Sequence, residues 1–198
     1  ADLAVTGTPA GRIDARLDRG RFAVAGGALR ADLSGRLGLP EAGVVLSGLR
    51  LSLASGDTQT ARLDVDRIEA AATPAPVIPL KLAARATRRG DRVTFDGEVF
   101  DPGRRLVVSG KGTHRLDTGA GDAGVALNPV TFLPTVLQPA DLFPVLAGRF
   151  SEVDGTVEGR GVFRWNRGSV TSGGSLSVAA RTLAVSGADL NGVATEVR

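Results

Sequence analysis

Hydrophobic and polar residues alternate along most of this chain. In Arg12-Ile13-Asp14-Ala15-Arg16-Leu17-Asp18 every second residue is charged and the residues between are apolar. That is the period of a β-strand with one wet face and one dry face. The same pattern recurs in Leu49-Arg50-Leu51-Ser52-Leu53, Arg62-Leu63-Asp64-Val65-Asp66, Leu80-Lys81-Leu82, Val93-Thr94-Phe95-Asp96 and Leu176-Ser177-Val178. Turn signals separate the runs: Arg19-Gly20, Gly26-Gly27, Ser55-Gly56-Asp57, Arg89-Gly90-Asp91, Asp101-Pro102-Gly103, Arg167-Gly168 and Gly173-Gly174. The pattern predicts about a dozen short strands. Their alternation predicts that Ile13, Leu17, Leu51, Leu63, Val65, Leu82, Phe95, Leu106, Val108, Val157, Leu176 and Val178 line one continuous apolar concavity.

A weaker repeat overlies the alternation: an apolar residue, Ser or Asp, Gly, and another apolar residue one or two places on. It appears as Leu33-Ser34-Gly35-Arg36-Leu37, Leu46-Ser47-Gly48-Leu49, Phe95-Asp96-Gly97-Glu98-Val99, Val153-Asp154-Gly155-Thr156-Val157 and Val185-Ser186-Gly187-Ala188. Glycine inside a strand marks a bulge or bend. Placed once per strand pair, such bends would curve a sheet in a regular line and give a U-shaped section. The alternative is a set of ordinary hairpin bulges in a β-sandwich. The spacing is too irregular for a strict solenoid repeat. The Pro-rich stretch Thr73-Pro74-Ala75-Pro76-Val77-Ile78-Pro79 reads as a connection or edge segment.

Alternation stops at Asn128-Pro129 and resumes from Val153 to Trp165. Between them lie two related heptads, Thr131-Phe132-Leu133-Pro134-Thr135-Val136-Leu137 and Asp141-Leu142-Phe143-Pro144-Val145-Leu146-Ala147. With Thr131 or Asp141 as N-cap, each Pro falls at the third helical position, where its missing N–H costs nothing. Two short helices are predicted, the second closed by Gly148. Phe132, Leu133, Leu142, Phe143 and Leu146 are expected to dock them on the dry face. The chain thus divides into β segments 1–127 and 151–198 around a helical insert at 128–150.

Composition narrows the classes of function. There are 24 basic and 21 acidic residues, and every base except Lys81 and Lys111 is Arg. The charges alternate along strands instead of clustering, which is a solvated face and not a nucleic-acid footprint. One Trp, seven Phe and no Tyr leave little for base stacking. With no Cys, disulfides, thiolate metal sites and a Cys nucleophile are excluded. The chain has no Met even at position 1, which reads as a processed product or an excised piece. No apolar run approaches the ~20 residues needed to span a bilayer. The 27 Gly residues follow no collagen period and suit many tight turns.

No constellation suggests catalysis. His114, the single histidine, lies in Lys111-Gly112-Thr113-His114-Arg115 with no Gly-x-Ser-x-Gly elbow to accompany it, and reads as a surface residue. Gly110-Lys111-Gly112-Thr113 lacks a hydroxyl directly after Lys, and Gly159-Arg160-Gly161 lacks the third Gly of a dinucleotide fingerprint. Asp14, Asp18, Asp64, Asp66, Asp96 and Glu98 each alternate with apolar residues, as outward strand positions do, and form no calcium loop. The reading is a non-enzymatic protein without cofactor or metal.

Residues 128–198 resemble the YdbH-like family, whose domain carries the older label "dicarboxylate transport". The resemblance rests on Leu137-Gln138-Pro139-Ala140-Asp141-Leu142-Phe143-Pro144, Val153-Asp154-Gly155-Thr156-Val157-Glu158-Gly159, Phe163-Arg164-Trp165, Thr171-Ser172-Gly173-Gly174-Ser175-Leu176 and Leu190-Asn191-Gly192-Val193, in that order. Residues 1–127 share the general style of AsmA-like proteins. The resemblance implies an all-β fold, an elongated, curved antiparallel sheet of many short strands forming a U-shaped groove. It implies a segment of a periplasm-spanning hydrophobic groove that conducts phospholipid between inner and outer membranes. The parent protein would be anchored in the Gram-negative inner membrane. The dry-face residues would then bind lipid, with no nucleic acid as partner. A structural β-solenoid or adhesin segment with a filled core is the alternative. A dicarboxylate binder is disfavoured, because its site needs convergent Arg and these Arg residues alternate outward.

Overall fold

The computed structural model describes the backbone of residues 2–6, 12–25, 28–56, 58–185, 188–191 and 194–197, and the side chains of 14–25, 28–56 and 58–184. Thirteen strands appear among them: β1 (Asp2–Thr6), β2 (Arg12–Ala25), β3 (Ala28–Leu39), β4 (Val44–Ala54), β5 (Gln59–Ala70), β6 (Leu80–Arg89), β7 (Arg92–Phe100), β8 (Val107–Arg115), β9 (Gly121–Phe132), β10 (Phe150–Asn166), β11 (Ser169–Val185), β12 (Ala188–Asn191) and β13 (Ala194–Val197). They form one curved, open antiparallel sheet in chain order from β1 to β12, with β13 also paired to β11. From β1 to β12 each strand is hydrogen-bonded to its sequence neighbour, so that run is a meander; β13 pairs with β11 and not with β12.

The strands are longer than the turn signals predict. Arg19-Gly20 lies inside β2 and Gly173-Gly174 inside β11, strands of 14 and 17 residues. Gly174 serves close approach instead of chain reversal: a Cβ on it would lie 2.6 Å from the Arg160 carbonyl oxygen across the ladder, whereas one on Gly20 would meet only side-chain carbons. Pairing therefore runs unbroken past them, and the sheet gains breadth.

What bends the ladder is a series of bulges. The register shifts, or takes up an extra residue, at Asp18 of β2, Ser47-Gly48 of β4, Asp66-Arg67 of β5, Asn128-Pro129 of β9, Glu152-Val153 of β10 and Arg181 of β11. An extra residue increases local twist and swaps the faces of everything beyond it. The apolar pattern swaps phase at the same places. In β4 it passes from Val44 and Leu46 to Leu49, Leu51 and Leu53. In β9 it passes from Ala123, Val125 and Leu127 to Val130 and Phe132. Gly48 takes a left-handed φ of 64° at the β4 bulge, where a Cβ would also collide with the Asp66 carboxylate.

The interruption after β9 is shorter and less helical than predicted. Pro129 sits within the strand, at the bulge where the ladder spares it an N–H. Thr131 and Phe132 remain paired with β10, so the first heptad forms no helix. Instead residues 133–137 make a tight turn closed by reciprocal Leu133–Leu137 backbone bonds of 3.1 and 3.2 Å. In the second heptad a one-turn helix α1 (Pro139–Leu142) starts after Gln138, before the expected Asp141 cap, and a 3-10 turn follows at Pro144–Leu146. Both open on Pro, which supplies a helical φ and loses no hydrogen bond there. A further 3-10 turn, Pro40–Ala42, joins β3 to β4.

The buried core is small and lies at one end of the sheet. Leu106, Val130, Phe132, Leu137, Leu142 and Val153 form it, with Val77, Ile78, Leu80, Phe143 and Phe150 packed around them. Leu142 is fully buried. The Pro-rich segment joins in: Ile78 donates its N–H to the Leu142 carbonyl at 2.9 Å.

Asp101 organises the turn between β7 and β8. It is fully buried; Oδ1 accepts from Leu106 N–H at 2.8 Å, and Oδ2 accepts from Gly103 N–H at 3.1 Å and Arg105 Nε at 3.0 Å. Burial alone would push its carboxyl up, but the bonds from Leu106, Arg105 and Gly103 together outweigh that and hold it below the usual carboxylate value. A depressed native value means the stabilisation is complete above the unfolded value near pH ~4 and lost as pH falls below it. Asp101→Asn keeps the shape but turns an NH2 towards donors. It should cost roughly 1–3 kcal/mol in urea unfolding at pH 7, with the gap from wild type closing below about pH 4. An unchanged midpoint at pH 7 would show that the turn does not need the charge.

Candidate functional site

Cross-strand pairs share a face, so the register assigns every strand residue to one side of the sheet. One row of directly paired residues runs Leu33, Leu51, Leu63, Ala84, Gly97, Gly110, Val125, Gly161 and Gly174 from β3 to β11. The neighbouring row on the same face runs Gly35, Leu49, Val65, Leu82, Val99, Val108, Leu127, Gly159 and Leu176. Leu17 pairs with Gly35, Phe95 with Ala86, and Val157 with both Val130 and Val178. The register therefore brings Leu17, Leu51, Leu63, Val65, Leu82, Phe95, Val108, Val157, Leu176 and Val178 onto one side; Leu106 precedes β8 and belongs to the buried cluster with Val130 and Phe132. The backbone of Ile13 is in β2, but its side chain lies outside the described residues.

Among the described residues nothing forms a second layer on this dry face over most of its extent. Leu17 is 40% exposed, Leu53 37%, Phe163 39% and Leu176 50%. Val65 and Ala31 are buried by neighbours within the sheet. Only at the end beyond β6–β11 is the face covered, by the turn 133–137, α1 and the Pro-rich segment. Among the predicted docking residues, Phe132 and Leu142 are in that buried plug and Phe143 packs on it. Leu146 is half-buried outside it, and Leu133 is exposed, because the turn that replaces the first helix carries it outward.

Gln138 holds the plug to the sheet. Its side-chain nitrogen donates towards the carbonyls of Leu133, Leu137 and Val153 at 3.0–3.1 Å, and its Oε1 accepts from Val153 N–H at 2.8 Å. Asp141 accepts from the Gln138 N–H at 2.7 Å. Alternation reasoning does not single out Gln138, because its role is to satisfy backbone groups of a turn not visible in the pattern.

The opposite end of the dry face is aromatic. Trp165 Nε1–H donates to His114 Nδ1 at 3.0 Å, and the Trp165 ring stacks on His114 and Phe95 with centroids 6.0 and 6.4 Å apart. His114 is thus half-buried inside β8, not a surface turn residue as the sequence suggested. The glycines opposite make room: Phe95 lies over Gly112 and Trp165 over Gly121.

The wet face is laced with ion pairs. Arg50 donates to both Asp66 oxygens at 2.5 and 2.8 Å, Arg62 to Asp64 at 2.8 Å, and Arg85 to Asp96 at 2.9 Å. The guanidiniums hold the Asp66 and Asp64 carboxyls below the usual range. Such exposed pairs add little stability and much solubility. A shallow trough of about 740 Å³ also opens on this side, over Ala83, Ser109 and Ala126 between Arg85, Lys111 and Arg160. Its rim also carries Arg62, Asp64 and Asp96. Among the described residues no group of His, Asp or Glu is arranged to hold a metal ion, and no helix is long and apolar enough to cross a membrane.

An open antiparallel sheet, apolar and largely uncovered on one side and charged on the other, is the architecture of a one-sided β-groove protein. The chain belongs to the YdbH-like family: the family model described as "Intermembrane phospholipid transport protein YdbH" matches residues 9–198. No curated protein and no solved structure matches the chain. Intermembrane phospholipid transport is the family's function, and it implies a periplasmic domain.

Leu142 is the test of the plug. Leu142→Ala should cost about 2–5 kcal/mol, as large-to-small changes at fully buried sites do, and should raise binding of a hydrophobic dye by exposing the covered end. A melting curve and dye titration that both match wild type would mean the plug is a free linker.

Proposed function

We propose that the dry face is the lipid-conducting wall of a periplasm-spanning groove. In this reading phospholipid passes between the inner and outer membranes with its acyl chains against Ile13, Leu17, Leu51, Leu63, Val65, Leu82, Phe95, Leu106, Val108, Val157, Leu176 and Val178. The parent protein is held in the inner membrane by a segment outside this chain. The observation that carries the proposal is an apolar face kept in phase across at least ten strands yet left uncovered. A contiguous exposed apolar surface of that extent marks an interaction site. A structural β-solenoid would fill the same face with its own side chains, and here that filling is confined to the plug. Ala84, Gly97, Gly110, Gly161 and Gly174 lower the floor of the face along one row and leave width for chains.

Because the face is not close-packed, a charge on it should be tolerated by the fold and not by the cargo. Leu51→Glu and Val178→Asp place a carboxylate against passing hydrocarbon, which costs several kcal/mol unless it is neutralised. Each variant should keep its circular dichroism and lose photo-crosslinking to phospholipid. Unfolding of both variants would favour a filled core. Normal fold with normal crosslinking would put the cargo on another surface.

A further inference from the structure

The two ends of the dry face differ in chemistry. Towards α1 it is closed by an apolar cluster. Towards the turns after β6, β8 and β10 its last row pairs Gln59 with Arg88, Arg88 with Val93, Val93 with His114, and Gly121 with Trp165. The apolar face therefore ends in a guanidinium, an imidazole, a primary amide and an indole N–H. Arg88 follows Leu82, Ala84 and Ala86 on the apolar side of β6, where a charge breaks the alternation. Its Nε donates to the Gly90 carbonyl at 2.8 Å and its Nη1 to Gln59 Oε1 at 3.3 Å. Both partners are neutral, and among the described residues no carboxylate pairs with it. The positive charge is exposed at the lip of a hydrocarbon-compatible surface.

We propose, resting on the groove reading above, that this rim is a headgroup site for glycerophospholipid. The lipid enters with its phosphodiester at Arg88 and its chains running along the strands towards the closed end. Arg is suited to phosphate oxygens. Trp is suited to the boundary between hydrocarbon and water, and Trp165 is fixed there by His114 and Phe95. Since His114 accepts at Nδ1, its Nε2–H remains as a further donor. The length agrees: from Trp165 to Val157 the dry face spans roughly 26 Å at strand rise, ample for the ~15 Å of hydrocarbon in one leaflet. Beyond β6–β11 the opposite rim is taken by the plug and Leu142.

Trp165 is the single tryptophan and there is no tyrosine, so intrinsic emission reports on this rim alone. The unmodified chain is loaded with phosphatidylglycerol brominated either near the glycerol or near the chain terminus. Shallow bromines should quench Trp165 more strongly than deep ones, and inorganic phosphate should leave the emission unchanged. Deep quenching equal to or above shallow quenching would overturn the orientation while leaving the groove intact. Absence of quenching by both lipids would overturn the groove and the rim site together. A response to phosphate equal to that of lipid would reduce the rim to a simple anion site and overturn the proposal. Arg88→Gln should weaken phosphatidylglycerol binding by about threefold, as expected for an exposed ionic contact, with unchanged circular dichroism. Equal affinity would remove Arg88 from the site.

Discussion

Everything in this molecule depends on keeping one face of a long meander apolar. A strand has a period of two, so any extra residue sends the rest of the strand to the wrong side. Six strands take up an extra residue, and in each the apolar pattern changes phase to match. Where β4 and β5 meet, Ser47-Gly48 and Asp66-Arg67 are inserted opposite each other, and the register on either side is preserved. The bulges thus add twist and curvature without mixing the faces. That coupling makes a broad sheet curve while remaining one-sided.

A one-sided sheet has an unstable surplus of apolar surface, and the chain handles it differently at its two ends. At one end Leu142 and its neighbours cover it, held by Gln138. The clasp supplies partners for the backbone groups of a turn and of β10 that the ladder leaves open, and so permits irregular chain to be buried there. At the other end none of the described residues covers it, and the surface is graded instead from aliphatic through small to aromatic and polar. The wet face, with Arg50–Asp66 and Arg85–Asp96 across neighbouring strands, presents its charges to water.

Much of this was legible because the alternation is strict. The faces, the hairpins at Arg89-Gly90-Asp91 and Arg167-Gly168, and the Pro-rich connection follow from residue type alone. The repeat around Ser47-Gly48 also carried the bulge, since Leu46 and Leu49 cannot share a face without one. Other features were hidden. Gly20 and Gly174 look like turn residues, yet both are paired within strands, and at Gly174 a neighbouring backbone approaches too closely for a Cβ. The heptad at 131–137 has helical caps in sequence, but Phe132 gains more from pairing with Gly155 and burying its ring than a one-turn helix offers. His114 looked solvated because its neighbours Lys111 and Arg115 are charged; its partner, Trp165, is 51 residues away.

The open face also changes what stability means for this chain. An uncovered apolar wall contributes little to folding, since burial is what stabilises. The conformational entropy of ordering those strands is offset chiefly by the ladder, the plug and the local rows around Val65. A ligand that binds only the folded sheet adds stability in proportion to its saturation, so lipid on the dry face would act as the missing second layer. On the proposed reading the cargo would also have to leave, so that layer could not be permanent. A groove of Leu, Val, Ala and Gly would meet both demands. It offers non-directional contact along its whole length and no strong polar anchor away from the rim, so a chain can shift from row to row past nearly equal surroundings. Confining the polar groups to one lip and the rigid packing to the other gives such a surface an orientation without giving it a trap.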